Sequence, residues 1–148
     1  MKKIILIIAL AATTTLTHAQ ILTPVHWSYA SKKTSPTEAV VLLKATIDNG
    51  WHIYSQTVKE GGPVKTTFTF SKSKLYTLIG ATAEPKPITK FEKSFGMNVS
   101  YFENTVVFQQ KVKLKPGQTT VKGQLEYMTC NDQKCLPPET VNFAVDIK

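Results

Sequence analysis

Five stretches of the chain alternate apolar and polar side chains one by one, a period that fits extended strands and no helix. In residues 39–47, Val41, Leu43, Ala45 and Ile47 share one face. Val64, Thr66, Phe68 and Phe70 do the same, with Lys65, Thr67 and Thr69 facing away. Val106, Phe108, Val112 and Leu114 alternate with Val107, Gln109, Lys111 and Lys113. Val121, Leu125 and Tyr127 oppose Lys122, Gln124 and Glu126, and Val141, Phe143, Val145 and Ile147 oppose Asn142, Ala144 and Asp146. One apolar and one polar side per stretch is the mark of antiparallel strands packed on a single face.

The connections agree. Asp48-Asn49-Gly50, Gly61-Gly62-Pro63 and Lys115-Pro116-Gly117 supply positive φ or a fixed φ, as turns require. The polar stretch Ser28 to Thr37 reads as a loop ending in Ser35-Pro36, and Glu84-Pro85-Lys86-Pro87 as a semi-rigid surface crossover. Residues 88–101 are aromatic-rich without clear alternation and read as a long irregular loop, of the kind that often carries function. No helical periodicity of ten or more residues follows the N-terminal segment. The expectation is an all-β, immunoglobulin-like antiparallel β-sandwich, with a small barrel as the other possibility.

That N-terminal segment has the layout of a cleaved secretory signal peptide over residues 1–19. Lys2 and Lys3 start it, Ile4 to Ala12 form its apolar run, and Thr17-His18-Ala19 offers a small-residue cleavage site. The run is shorter than the roughly 20 residues a membrane span needs. A cut before Gln20 leaves one domain over residues 20–148, about 130 residues, with room for a real core and not for two. The expected location is the periplasm, with no membrane span after cleavage. The net charge of +8 comes entirely from lysines, scattered singly along the alternating segments. With no arginine for bidentate reading of phosphates and bases, nucleic-acid binding is a poor reading.

Only two cysteines occur, Cys130 and Cys135. Fully extended, five steps would hold their Cα atoms roughly 17 Å apart, against roughly 7 Å for a disulfide. The polar spacer Asn131-Asp132-Gln133-Lys134 must therefore fold back, and Asn131-Asp132 readily opens such a turn. In an exported chain with an even cysteine count, a bond between them is the default. As a staple it is poor: so short a loop contributes about 2 kcal/mol, against about 4.7 for a loop of a hundred residues. It does place both sulfurs near the surface beside Lys134, where a thiolate can form and exchange. Spacing alone leaves redox exchange and loop stiffening level. A metal site lacks partners, since His18 leaves with the signal and nothing marks His26 or His52 as ligands. No cofactor is expected.

The surrounding residues separate those readings. Glu126-Tyr127-Met128-Thr129-Cys130 through Cys135-Leu136-Pro137-Pro138-Glu139-Thr140 resembles the active-site hairpin of the N-terminal domain of the DsbD thiol:disulfide interchange family. Gly50-Trp51-His52-Ile53-Tyr54-Ser55-Gln56 is similar to a Gly-aromatic segment after that family's first long strand. Lys90-Phe91-Glu92-Lys93-Ser94-Phe95-Gly96 resembles its cap loop, with Tyr101 beyond it. The resemblance covers roughly residues 39–147.

It implies an immunoglobulin-like sandwich with catalytic cysteines on a hairpin shielded by a loop, acting as a protein-disulfide reductase component. Electrons would come from a membrane donor and pass to oxidised periplasmic proteins, with thioredoxin-like or other thiol proteins as partners. By the same resemblance, Cys135 makes the intermolecular bond and Cys130 resolves it. Full-length members continue into a membrane carrier and a thioredoxin-like module; with this chain ending at Lys148, the expectation is either a separate transmembrane donor or a domain redeployed to another use. The four-residue spacer is also shorter than in the family's best-known member.

Around the pair, Phe95 with Ser94 either lies over the cysteines as a cap or belongs to the core. His52 and Tyr54 either contact the sulfurs, with a charged His52 favouring a thiolate, or serve structure alone. Tyr127 reads as packing, and Pro137-Pro138 as the exit of the loop. Two rivals to the relay remain: a binding module whose disulfide stiffens a recognition loop, and a chaperone-like sandwich offering a sheet edge.

Overall fold

The computed structural model describes residues 22–148. The segment assigned to a signal peptide lies outside them. Eleven strands and no helix are present among the described residues. Strands β1 (Val25–Ser35), β2 (Glu38–Ile47), β8 (Thr105–Leu114) and β5 (Tyr76–Ala83) form one antiparallel sheet in the order β1-β2-β8-β5. Strands β11 (Glu139–Ile147), β9 (Thr119–Tyr127) and β4 (Thr67–Phe70) form a second. The two face each other across one core, in which Val41, Leu43, Phe108 and Val112 meet Val121, Leu125, Phe143 and Val145. Aromatic rings stitch the layers, with the Phe68 centroid 4.9 Å from that of Phe108 and 6.1 Å from that of Trp27. This is the immunoglobulin-like sandwich.

The apolar faces read from the sequence are the buried ones, with one exception. Val64 is exposed, and its strand starts only at Thr67. Of the four turn glycines, Gly50, Gly61 and Gly117 take positive φ and Gly62 does not.

Two expected loops are strands. Residues 28–35 belong to β1, which pairs with β2 from Val25↔Ile47 to Ser35↔Glu38 and turns through Pro36-Thr37. Trp27, Tyr29 and Ser31 point inward there, while the intervening Ser28, Ala30 and Lys32 face solvent. Serine and lysine on the wet face hide a genuine alternation.

Residues 88–101 likewise form a hairpin of β6 (Ile88–Glu92) and β7 (Met97–Glu103). These join β3 (His52–Tyr54) and β10 (Thr129–Cys130) in a third sheet, ordered β10-β3-β7-β6. Its inner strands β3 and β7 are covered on both sides, which erases the period-two signal there, while the edge strand β6 is exposed. Ile53 and Phe102 face the main core, while Tyr54, Val99, Tyr101 and Cys130 form a second buried cluster on the other side. Chain crossings build it: β7 runs into β8 through Asn104 at φ 59°, and β9 runs into β10 through Met128. A left-handed Asn is among the few non-glycine residues suited to such a kink.

Candidate functional site

Cys130 ends the short strand β10, paired directly opposite His52 of β3. The chain then reverses, with the Asn131 N–H donating to the Lys134 carbonyl at 2.9 Å and the Leu136 N–H to the Thr129 carbonyl at 2.9 Å. The Asn131 side-chain oxygen accepts from the Gln133 and Lys134 N–H groups at 2.9 and 2.8 Å, the Asx turn expected of that residue. The reversal brings the Cα atoms of Cys130 and Cys135 to 4.0 Å, and the two are joined by a disulfide. All described peptide bonds are trans, Pro137-Pro138 included.

The two sulfurs are not equivalent. Cys135 is exposed, as is Lys134 beside it, whereas Cys130 is 2 % exposed and packs with Tyr54, Val99 and Tyr101. The expectation of two surface sulfurs is thus half wrong: pairing β10 with β3 carries the Cys130 side chain inside, against Tyr54, Val99 and Tyr101.

A cleft of about 320 Å³ opens over the disulfide. Cys130, Cys135, Lys134, His52, Tyr54, Ser94 and Phe95 all line it. Phe95 and Ser94 sit at the tip of the β6–β7 hairpin. The tip is held by Phe95 N–H to Glu92 carbonyl at 3.2 Å and Gly96 N–H to Lys93 carbonyl at 3.3 Å, with Gly96 at φ 64°. Glycine takes that left-handed conformation without steric cost. Phe95 is half-buried against the cluster holding Cys130, with its ring edge-on to Tyr54 at 6.4 Å. It is neither fully core nor free.

His52 is buried, with Nε2 3.2 Å from the Tyr54 hydroxyl and its ring 5.0 Å from that of Tyr101. The Thr129 hydroxyl donates to the His52 carbonyl at 2.9 Å and ties β10 to β3. Burial first, then the charge of Lys90, pushes the His52 pKa below its ordinary 6.5; Glu92, Glu103 and Asp132 pull the other way. That direction favours the neutral ring at neutral pH. The Tyr54 hydroxyl is pushed up to about 12 by burial and then by Glu92. It stays protonated.

Sequence reading passed over Lys90, Glu92 and Asp132 as site residues, yet they too line the cleft. Lys90 and Glu92 lie two apart on one face of β6, opposite Val99 and Met97, and the Lys90 ammonium stands 5.9 Å from the centre of the Tyr101 ring. Reading residues 88–92 as a strand would have found them. Among the described residues no cluster of His, Cys, Asp and Glu is arranged to hold a metal, and no helix is long and apolar enough to cross a membrane.

Solved structures with this architecture include the reduced N-terminal domain of DsbD from Neisseria meningitidis, 18 % identical, TM-score 0.52, covering 80 % of this chain and 83 % of that one. A second is the Neisseria meningitidis DsbD N-terminal domain in complex with the PilB N-terminal domain, at 17 % identity and TM-score 0.55, covering 84 % and 87 %. A third is the N-terminal periplasmic domain of ScsB from Proteus mirabilis, at 19 % and 0.54, covering 83 % of this chain and 44 % of that one. At such identities these likenesses speak for the fold. No curated protein sequence matches the chain. The family model for the N-terminal part of the thiol:disulfide interchange protein DsbD, however, matches residues 18–147, nearly the whole chain. The chain belongs to the DsbD N-terminal family.

Proposed function

We propose that this domain relays reducing equivalents by thiol–disulfide exchange through Cys130 and Cys135, in the periplasm, between a membrane or thioredoxin-like donor and oxidised exported proteins. The observation that carries this reading is the asymmetry of the pair: an exposed Cys135 open to a partner sulfur, and a buried Cys130 behind it. Exchange needs that division of labour. A partner's sulfur joins the accessible cysteine in a mixed disulfide, and the sheltered cysteine displaces it without competing for partners. Phe95 at the hairpin tip acts as the cap, and Ser94, His52, Tyr54 and Lys134 complete the surroundings. The complex of a relative's domain with the PilB N-terminal domain supports a partner protein docking on this type of fold. The domain acts as a component of a protein-disulfide reductase.

The reading is tested by the reduction potential of the pair together with trapping. A relay requires a potential near thioredoxin-like values; one below about −300 mV marks a structural bond and ends the proposal. Cys130→Ser, expressed in a host with a periplasm, should collect mixed disulfides with exported proteins, and Cys135→Ser should not. The rival reading, a disulfide that stiffens a recognition loop, predicts no trapped partner with either variant.

A further inference from the structure

Given thiol exchange at this pair, we infer that His52 is the proton acceptor that frees the buried Cys130 sulfur for the resolving step. Cys130 and His52 are directly opposed across the β10–β3 ladder. Opposed residues carry their side chains on the same face, with Cβ atoms about 4.5–5.5 Å apart, and both line the cleft. Cys130 needs such a neighbour. Its side chain is almost fully buried against Tyr54, Val99 and Tyr101, surroundings that disfavour a thiolate.

His52 is held ready for the task. Its backbone carbonyl is tied by Thr129 and its Nε2 by the Tyr54 hydroxyl. The accepting tautomer is the one in which Nε2–H donates to the Tyr54 oxygen, so that Nδ1 keeps its lone pair for the thiol proton. The groups facing the ring come from every neighbouring element. They are Tyr54 on β3, Tyr101 and Glu103 on β7, Lys90 and Glu92 on β6, and Cys130 and Asp132 on the cysteine hairpin. Burial and Lys90 outweigh the three carboxylates and keep the ring neutral, as a base must be.

Cys135 is bonded to a partner sulfur and Cys130 carries its thiol proton. That proton passes to His52, the Cys130 sulfur attacks the Cys135 sulfur, and the Cys130–Cys135 bond forms as the Cys135–partner bond breaks. The electron pair leaves on the partner sulfur, which takes up a proton, from His52 or from water. The domain's dithiol is oxidised by two electrons and the partner disulfide is reduced by two.

A chromogenic aryl disulfide added to the reduced protein reads this step directly. The first aryl thiolate is released when Cys135 is modified, and the second when Cys130 displaces the other half. In wild type the second release should rise through an inflection below pH 6.5 and then stay level through neutral pH. In His52→Gln it should fall about 100-fold near neutrality, as for loss of a general base. It should then climb with thiolate content and meet wild type well above the ordinary thiol pKa of about 8.5. Tyr54→Phe, which keeps the imidazole, should retain the level region. Profiles that superimpose, or that differ by one constant factor at every pH, overturn the assignment. Should the glutamine variant not fold, His52→Asn is read in the same way, and a retained level region there overturns it too. A wild-type protein that never releases the second thiolate refutes the relay itself rather than the role of His52.

Discussion

The Tyr127 hydroxyl donates a 2.7 Å hydrogen bond to the Glu139 carboxylate, and the same two residues are paired across β9 and β11. They stand where the chain leaves one sheet for the cysteine hairpin and where it returns. The bond therefore closes the base of the segment that carries both sulfurs. Tyr127 itself is buried among the core aromatics, its ring 5.6 Å from that of Trp27.

Burial, reinforced by the bond to Glu139, raises the Tyr127 pKa, and burial raises that of Tyr54 to about 12. Tyrosines in the unfolded chain ionise near 10, so the folded state holds these protons more tightly. The stability they contribute is complete below pH 10 and is lost as pH climbs from 10 towards 12 and beyond. Urea midpoints should be level to about pH 9.5 and fall above 10. Tyr127→Phe should flatten that fall and cost about 1 kcal/mol at neutral pH. An alkaline limb that is unchanged in this variant would remove Tyr127 from the explanation.

Glu84 opens the crossover into the cap hairpin and fastens it to the segment after Tyr54. Its carboxylate accepts from the Ser55 hydroxyl, from the Gln56 N–H at 3.0 Å and from the Gln56 side-chain amide at 3.3 Å. Ser55 is fully buried. Glu84→Ala leaves the Gln56 N–H without its acceptor, while the Gln56 side-chain amide keeps the Thr82 carbonyl at 3.1 Å and the Ser55 hydroxyl keeps that of Thr57 at 2.8 Å. It should cost about 1–3 kcal/mol. Hydrogen exchange should quicken first in residues 88–92. Protection there equal to wild type would mean that the crossover is held by other contacts.

Phe95 covers the cluster around Cys130 from a four-residue tip, and only half of the ring is buried. Phe95→Ala should cost no more than about 1 kcal/mol of stability. It should speed modification of the reduced pair by a small disulfide about tenfold, equivalent to about 1.4 kcal/mol of lost shielding. Equal rates in the two proteins would return Phe95 to a packing role.

Gly123 interrupts the alternation of β9 between Val121 and Leu125. A Cβ there would lie 2.5 Å from the Thr69 carbonyl oxygen and 2.6 Å from the end of the Phe143 ring. The ring can yield, but the carbonyl belongs to the neighbouring strand and cannot without breaking the ladder. Gly123→Ala should destabilise by about 2–3 kcal/mol, the range of an overpacked core. A urea midpoint within error of wild type would show that β4 gives way freely.

Legibility in the sequence followed the wetting of each strand. Val41, Leu43, Phe108, Leu125 and Phe143 announced themselves because one side of their strands meets water. Met97, Val99, Tyr101 and Phe102 did not, since β7 is buried on both sides and its residues mix two environments. Trp27 and Tyr29 were hidden by the serines and lysines between them. At the site, the turn chemistry of Asn131 and the nearness of the cysteines followed from spacing and peptide geometry. The inequality of Cys130 and Cys135 did not, because it arises when β10 is laid against β3 and β7. The neutral state of His52 belongs to the same class. It depends on Tyr54, Tyr101 and Lys90, which adjacent strands bring to one ring.

The turn between Cys130 and Cys135 is closed by its own backbone bonds, from Asn131 to Lys134 and from Leu136 to Thr129. Opening the S–S bond releases no strand and separates no sheet. Under the proposed relay, the loaded and spent carriers therefore share one silhouette. A docking protein could not tell them apart by fit and would learn the difference only by reacting. Direction would then be set by supply and demand, the abundance of each partner weighed against its redox appetite, and not by any change of grip.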